Sequence, residues 1–143
     1  MRSVVAFVTI VALAAAIAVV ALASSPPGLP SYTEGYTSWR RINAKPITIC
    51  GPPCAHSGVK NVYASTRKVG RRYPNGTVLV KTVQERGVAG PPGQVAVMRK
   101  VANRWQFAEY GLSDGRYAVI GQGSFCRSCH MQARANSYVF TQR

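Results

Sequence analysis

Cys126-Arg127-Ser128-Cys129-His130 is the stretch of this chain whose residue types and spacing dictate a particular chemistry. C-x-x-C-H is the attachment pattern of c-type haem. Two thiols three positions apart can add to the two vinyl groups on one edge of a porphyrin, and the next residue then brings an imidazole under the iron as proximal ligand. The same thiols suit two other uses: a zinc site shared with Cys50 or Cys54, or a redox C-x-x-C. The chain has only four cysteines, so this spacing is not expected by accident. The adjacent histidine is what haem needs and a redox dithiol does not. The expectation is one covalent haem c on Cys126 and Cys129, with His130 as the axial iron ligand.

The position of the motif limits the second axial ligand. Only thirteen residues follow His130, and the sole downstream methionine is its neighbour Met131. Met98 lies in a V-A-V-M run, where methionine usually fills core. His56, the other histidine, sits in a Pro/Gly-rich loop. The expected iron is five-coordinate with an open distal face, which binds small ligands or does chemistry on them.

The N-terminus agrees with covalent haem attachment outside the bacterial cytoplasm. Met1-Arg2 precedes an apolar run from Val4 to Ala23, ending Ala21-Leu22-Ala23. That is the build of a signal peptide over 1–23. A run of roughly 20 apolar residues is also long enough for an uncleaved membrane anchor. Either way the rest is expected on the periplasmic side: a Pro-rich spacer over 24–35 and one small domain over 36–143. Cys50-Gly51-Pro52-Pro53-Cys54 reads as a local disulfide in an oxidising compartment. Eighteen Lys and Arg face four acids, a net charge of +14. Such a surface favours acidic partners or anionic membranes. No nucleic-acid recognition motif is visible, and a membrane role arises only if the first segment stays attached.

Coarse structure follows from composition and turn signals. Tyr36 to Ile42 is predicted as a short helix. Val59–Ala64, Thr77–Val83, Gln94–Lys100 and Trp105–Tyr110 are predicted strands, punctuated by Pro74-Asn75-Gly76, Gly87 to Gly93, Asn103 and Ser113-Asp114-Gly115. Phe125 to Ala135 is predicted helical. The fold class is α+β: mainly antiparallel β-sheet with few helices, a single small domain with a C-terminal haem-attachment segment.

Several pieces together resemble the cytochrome P-460 family, which includes the cytochrome c′-beta proteins. They are Y-T-S-W-R-R, H-S-G-V-K-N-V-Y-A, Y-P-N-G-T-V-L-V-K, V-A-V-M-R-K, W-Q-F-A-E-Y-G and C-R-S-C-H-M-Q-A with the closing Y-V-F-T, over residues 36–143. The resemblance implies a periplasmic, largely β-sheet haem protein that forms homodimers. It also implies hydroxylamine oxidation, nitric oxide binding, or both. It singles out Lys81 as the lysine that cytochrome P-460 links covalently to a haem meso carbon. Alternation puts Thr77, Leu79 and Lys81 on the face opposite Val78 and Val80, and a desolvated lysine amine is nucleophilic.

Oxidising hydroxylamine needs a proton acceptor. Among Glu34, Glu85, Glu109 and Asp114, the strand residue Glu109 is the first candidate and Asp114 the second. Phe125, directly before the motif, is apolar, and the distal-pocket acid that the resemblance to cytochrome P-460 implies has no clear counterpart here, which favours gas binding in an apolar pocket lined by Phe107, Tyr110 and Trp105. The readings are a hydroxylamine oxidoreductase, a gas-binding haem protein, or a simple electron carrier ligated by Met98 or His56. An acidic redox partner is the expected macromolecular contact.

Overall fold

The computed structural model describes residues 27–48 and 56–141. The expected signal or anchor segment and the expected Cys50–Cys54 disulfide lie outside those residues. Two 3-10 turns, Ser31–Thr33 and Tyr36–Ser38, open the described chain. Strands β1 (Arg40–Arg41), β2 (Val59–Ala64), β3 (Val78–Gln84), β4 (Gln94–Val101), β5 (Arg104–Ser113) and β6 (Arg116–Gln122) follow. The chain then enters helix α1 (Ser124–His130) and a 3-10 segment, Met131–Asn136. The strands form one antiparallel sheet in the order β1-β2-β3-β4-β5-β6. Sheet plus short helical ends is the expected α+β fold.

The local chemistry explains the meander. β3 and β4 are rich in valine, which packs well on a pleated surface. The β5–β6 hairpin turns on Asp114 and Gly115, both at positive φ (51° and 72°), the Asp-Gly signature of a tight two-residue turn. The β4–β5 turn uses Ala102 and Asn103 at φ 47° and 62°. Just before β3, the backbone N–H of Gly76 donates to the carbonyl of Lys100 (2.9 Å), so the Pro74-Asn75-Gly76 turn is tied to the end of β4.

Side chains alternate between two faces. On one, Tyr36, Val78, Val80, Val95, Val97, Tyr110 and Tyr117 form an apolar cluster. Val80 and Val95 are fully buried, each stabilising the fold by about 1.5–3 kcal/mol. The N-terminal segment closes this face. Leu29 packs on the cluster, and Tyr117 N–H donates to the carbonyl of Pro27 (2.9 Å). The described part of the stretch expected as a spacer, from Pro27 onward, is therefore docked on the sheet, because its apolar residues cover the tyrosine-lined core. On the other face, Ala64, Tyr73, Leu79, Met98, Trp105, Phe107 and Val139 form a second cluster, against which Ile42, Cys126 and Tyr138 pack.

Three expectations need correction. Tyr36 to Ile42 is not a helix. Gly35 takes a left-handed φ of 68°, Tyr36–Ser38 make one 3-10 turn, and Trp39 is already extended. Arg40 and Arg41 then pair with Ala64 and Tyr63. The buried ring of Tyr36 packs edge-on to Tyr63, 5.8 Å between centroids, and this tertiary contact overrides local helix preference. The second correction is β6, a strand in a stretch not predicted as one. The third concerns β5, which runs from Arg104 to Ser113 and so is longer than the predicted Trp105–Tyr110.

Candidate functional site

The register of the sheet assembles the site. Val62 on β2 faces Lys81 on β3, Lys81 faces Ala96 on β4, Ala96 faces Glu109 on β5, and Glu109 faces Gly121 on β6. Directly opposed residues share a face. Lys81 and Glu109 therefore stand in one row, next to the apolar row Ala64–Leu79–Met98–Phe107. The alternation expected for β3 holds: Leu79 packs with one cluster, Val78 and Val80 with the other.

Helix α1 brings the C-x-x-C-H motif over this face. Cys126 and Cys129 are free thiols, both half-buried, and Cys126 packs against the cluster containing Leu79 and Phe107. Burial pushes the Cys126 thiol up. The His130 ring lies 4.9 Å from the Phe107 ring and 5.4 Å from that of Phe140, centroid to centroid. Its Nδ1 is 2.6 Å from the carbonyl oxygen of Tyr138. A carbonyl only accepts, so Nδ1 carries the proton and Nε2 keeps a lone pair. Burial pulls the imidazole below its ordinary pKa, and the Tyr138 bond opposes this in part. A neutral ring fixed through Nδ1 is how a ligating histidine is held.

Charged groups cluster beside this donor set. Lys81 is half-buried, and its amine is pulled down to about 8, first by desolvation and further by nearby Lys60, with Glu109 opposing. Its field also reaches Cys126, Cys129 and His130. Glu109 is buried, and its Oε1 is 2.8 Å from Nδ1 of His56. The two side chains are only 14% and 11% exposed, so this pair is screened little by water. The Lys60 amine donates to the carbonyls of His56 (2.9 Å) and Gly58 (3.0 Å), which ties the loop bearing His56 to β2.

The structure thus brings together His130, Cys126, Cys129, Lys81 and Glu109. It adds His56, whose link to Glu109 sequence reasoning missed. Other candidates fall elsewhere. Asp114 is exposed in the β5–β6 turn and bonded by the Ser113 hydroxyl (3.1 Å). Tyr110 points to the opposite face among Tyr36 and Tyr117, because it is one residue out of phase with Phe107 and Glu109. Trp105 lies in the second cluster, edge-on to Tyr73 (5.9 Å). Met98 is core, paired between Leu79 and Phe107.

The donor set fits a haem: two reduced thiols one helical turn apart, and an imidazole already anchored through its other nitrogen over an apolar sheet face. This is the site of a haem-binding cytochrome. The family model for Cytochrome P460 matches residues 33–141, and the chain belongs to that family. No curated protein and no solved structure matches the chain in the parallel comparisons. Among the described residues no helix is long and apolar enough to cross a membrane.

Proposed function

We propose that this protein is an exported, periplasmic cytochrome with one haem c, joined covalently to Cys126 and Cys129 and ligated by His130, that oxidises hydroxylamine and binds nitric oxide. The observation that carries the reading is the convergence of Lys81 and the Glu109–His56 pair on the face that receives the C-x-x-C-H helix. When bound, the haem supplies an iron centre that binds a small nitrogen ligand and accepts its electrons. The chain's part is to hold that ligand in a largely apolar enclosure and to take its protons. Phe107 and Phe140 flank the His130 ring. Glu109, the acid/base candidate among the four carboxylates, and His56 offer a buried proton-accepting pair. Lys81, with its amine drawn toward neutrality, is the residue suited to bond a macrocycle carbon.

A gas-binding protein without turnover is the second reading, favoured by the aromatic setting of His130. The electron carrier loses one of its two ligands, since Met98 is packed as core. Two partners complete the proposal. An acidic redox partner suits the cleft of about 320 Å³ lined by Arg40, Arg67 and Lys68. A second copy suits the edge strand β6, where Val119 and Ile120 are exposed, as is Phe125 of α1.

The test is hydroxylamine turnover by the haem-loaded protein with an artificial electron acceptor, alongside its reduced absorption spectrum. A strongly red-shifted ferrous Soret band with turnover is expected. An ordinary high-spin c-haem spectrum with reversible nitric oxide binding and no turnover would replace this reading with the second.

A further inference from the structure

Beside the haem-attachment motif the described residues place a carboxylate, Glu109, against a second imidazole, His56, and the geometry gives them different jobs. We propose that the His56 imidazole is the group that takes the proton from the bound ligand, and that Glu109 is the positioning residue that orients it. This rests on the function proposed above and names the residue that performs its proton step.

Four observations carry the assignment. Glu109 Oε1 is engaged with His56 Nδ1 at 2.8 Å. A carboxylate at that nitrogen holds the proton on Nδ1 and leaves the Nε2 lone pair as the base. Second, the other oxygen of Glu109 faces β6 and α1. Oε2 lies 3.6 Å from the point where a side chain on Gly121 would begin, on the side where the Phe125 ring also approaches. That oxygen therefore occupies a slot against β6 and α1, which the absence of a side chain at Gly121 leaves open.

Third, the loop carrying His56 is fastened. The Lys60 amine bonds the carbonyls of His56 and Gly58, and Ile47 and Lys60 exchange backbone hydrogen bonds at 2.9 Å in both directions. Fourth, His56 and Lys81 both lie close enough to His130 to affect its proton affinity. Among the described residues, Glu109 from β5 contacts the His56 ring, Lys60 from β2 bonds its backbone carbonyl, and Lys81 from β3 and His130 from α1 belong to the same cluster. The arrangement is the carboxylate–imidazole pairing by which enzymes fix the tautomer of a base.

Electron and proton balance is simple. With haem bound, the electrons released by the nitrogen ligand would pass through the iron to the external electron acceptor named in the turnover assay. Each N–H or O–H proton released passes to Nε2 and then to water.

The experiment uses the haem-loaded protein and compares His56→Gln, His56→Ala and Glu109→Gln. Two signals are read: the pH profile of kcat/KM for hydroxylamine, and the C–O stretching band of the ferrous carbon monoxide complex against pH. The parent is expected to show two interconverting C–O bands, reporting the protonated and neutral imidazole. His56→Gln, which keeps a polar partner for Glu109 should His56→Ala fail to fold, is expected to show one pH-independent band. Its kcat/KM should fall by about 10²-fold or more, the usual scale for a lost general base. Glu109→Gln should retain both bands, because it leaves the imidazole in place. Its rate should fall less than that of His56→Gln.

Two bands and an unchanged pH limb in His56→Gln would overturn the assignment. So would a six-coordinate low-spin ferric spectrum that His56→Ala converts to five-coordinate, since His56 would then be an iron ligand. If the parent fails to oxidise hydroxylamine, the proposed function fails, yet the carbon monoxide bands still decide whether His56 faces the ligand.

Discussion

The two faces of the sheet are built from the same strands, one residue out of phase, and they carry different loads. One face is covered by the N-terminal segment and is dominated by apolar and tyrosine side chains, with Val80 and Val95 fully buried. On the other face, one apolar row gives way two residues along each strand to a row holding Lys81 and Glu109, with His56 paired to it and Lys60 nearby. Placing those groups out of water is unfavourable unless each is matched, and the shift of the Lys81 amine to about 8 reflects that cost. The first face supplies stability, and the second holds a strained electrostatic arrangement of the kind that active sites use.

Breaking the second face should have the larger effect on cofactor content. Replacing Cys126 and Cys129 together by alanine is expected to abolish haem staining on a denaturing gel while the β-sheet signal in circular dichroism persists. Retained stain in that variant would show that the helix is not the attachment point. Breaking the first face should reverse the pattern. Val80→Ala is expected to cost about 2 kcal/mol through lost burial and a residual cavity. The urea midpoint should drop with little change in slope, and the haem spectrum should be unaltered.

Lys81 sharpens the comparison through pH. In the folded chain its amine releases a proton near 8, whereas in the unfolded chain it does so near the ordinary 10.5. Between those values the unfolded state binds more protons, so this group makes stability rise with pH across that window; below about 8 its burial cost is fully present. Subtracting the pH–stability curve of Lys81→Met isolates the effect, because Lys60 and the tyrosines are common to both proteins. In the haem-free cysteine double variant the difference should be on the order of 1 kcal/mol. A flat difference curve would mean that the amine is not desolvated. The smallest effect belongs to neither face. Ala102→Gly at the β4–β5 turn should raise stability by about 0.5 kcal/mol by relieving the positive φ of 47°, since glycine takes that conformation without steric cost. It should leave the haem spectrum alone.

Much of this was legible in residue order. Val59–Ala64 is predicted and observed with the same ends, because its alternation and flanking turns are unambiguous. C-x-x-C-H and the phase of Lys81 on β3 could also be read directly. Strand β6 could not. It is an edge strand, largely exposed, and its pairing to β5 is broken by a register shift at Glu109/Tyr110, so no period-2 burial pattern marks it. The Glu109–His56 pair was illegible for another reason. The two residues lie 53 positions apart, and only the tertiary placement of His56 against β5 unites them. The phase of Tyr110 was readable in principle, as the neighbour of an inward Glu109.

The central claim is that Cys126, Cys129 and His130 hold a single haem on the charged face of the sheet. The most direct measurement is the intact mass of the protein matured in a host with c-haem machinery, taken after acid unfolding, followed by peptide mapping. The account predicts the chain mass plus one haem, with the haem on the peptide bearing Cys126 and Cys129. A chain mass without haem, or haem extracted by acid, would contradict it.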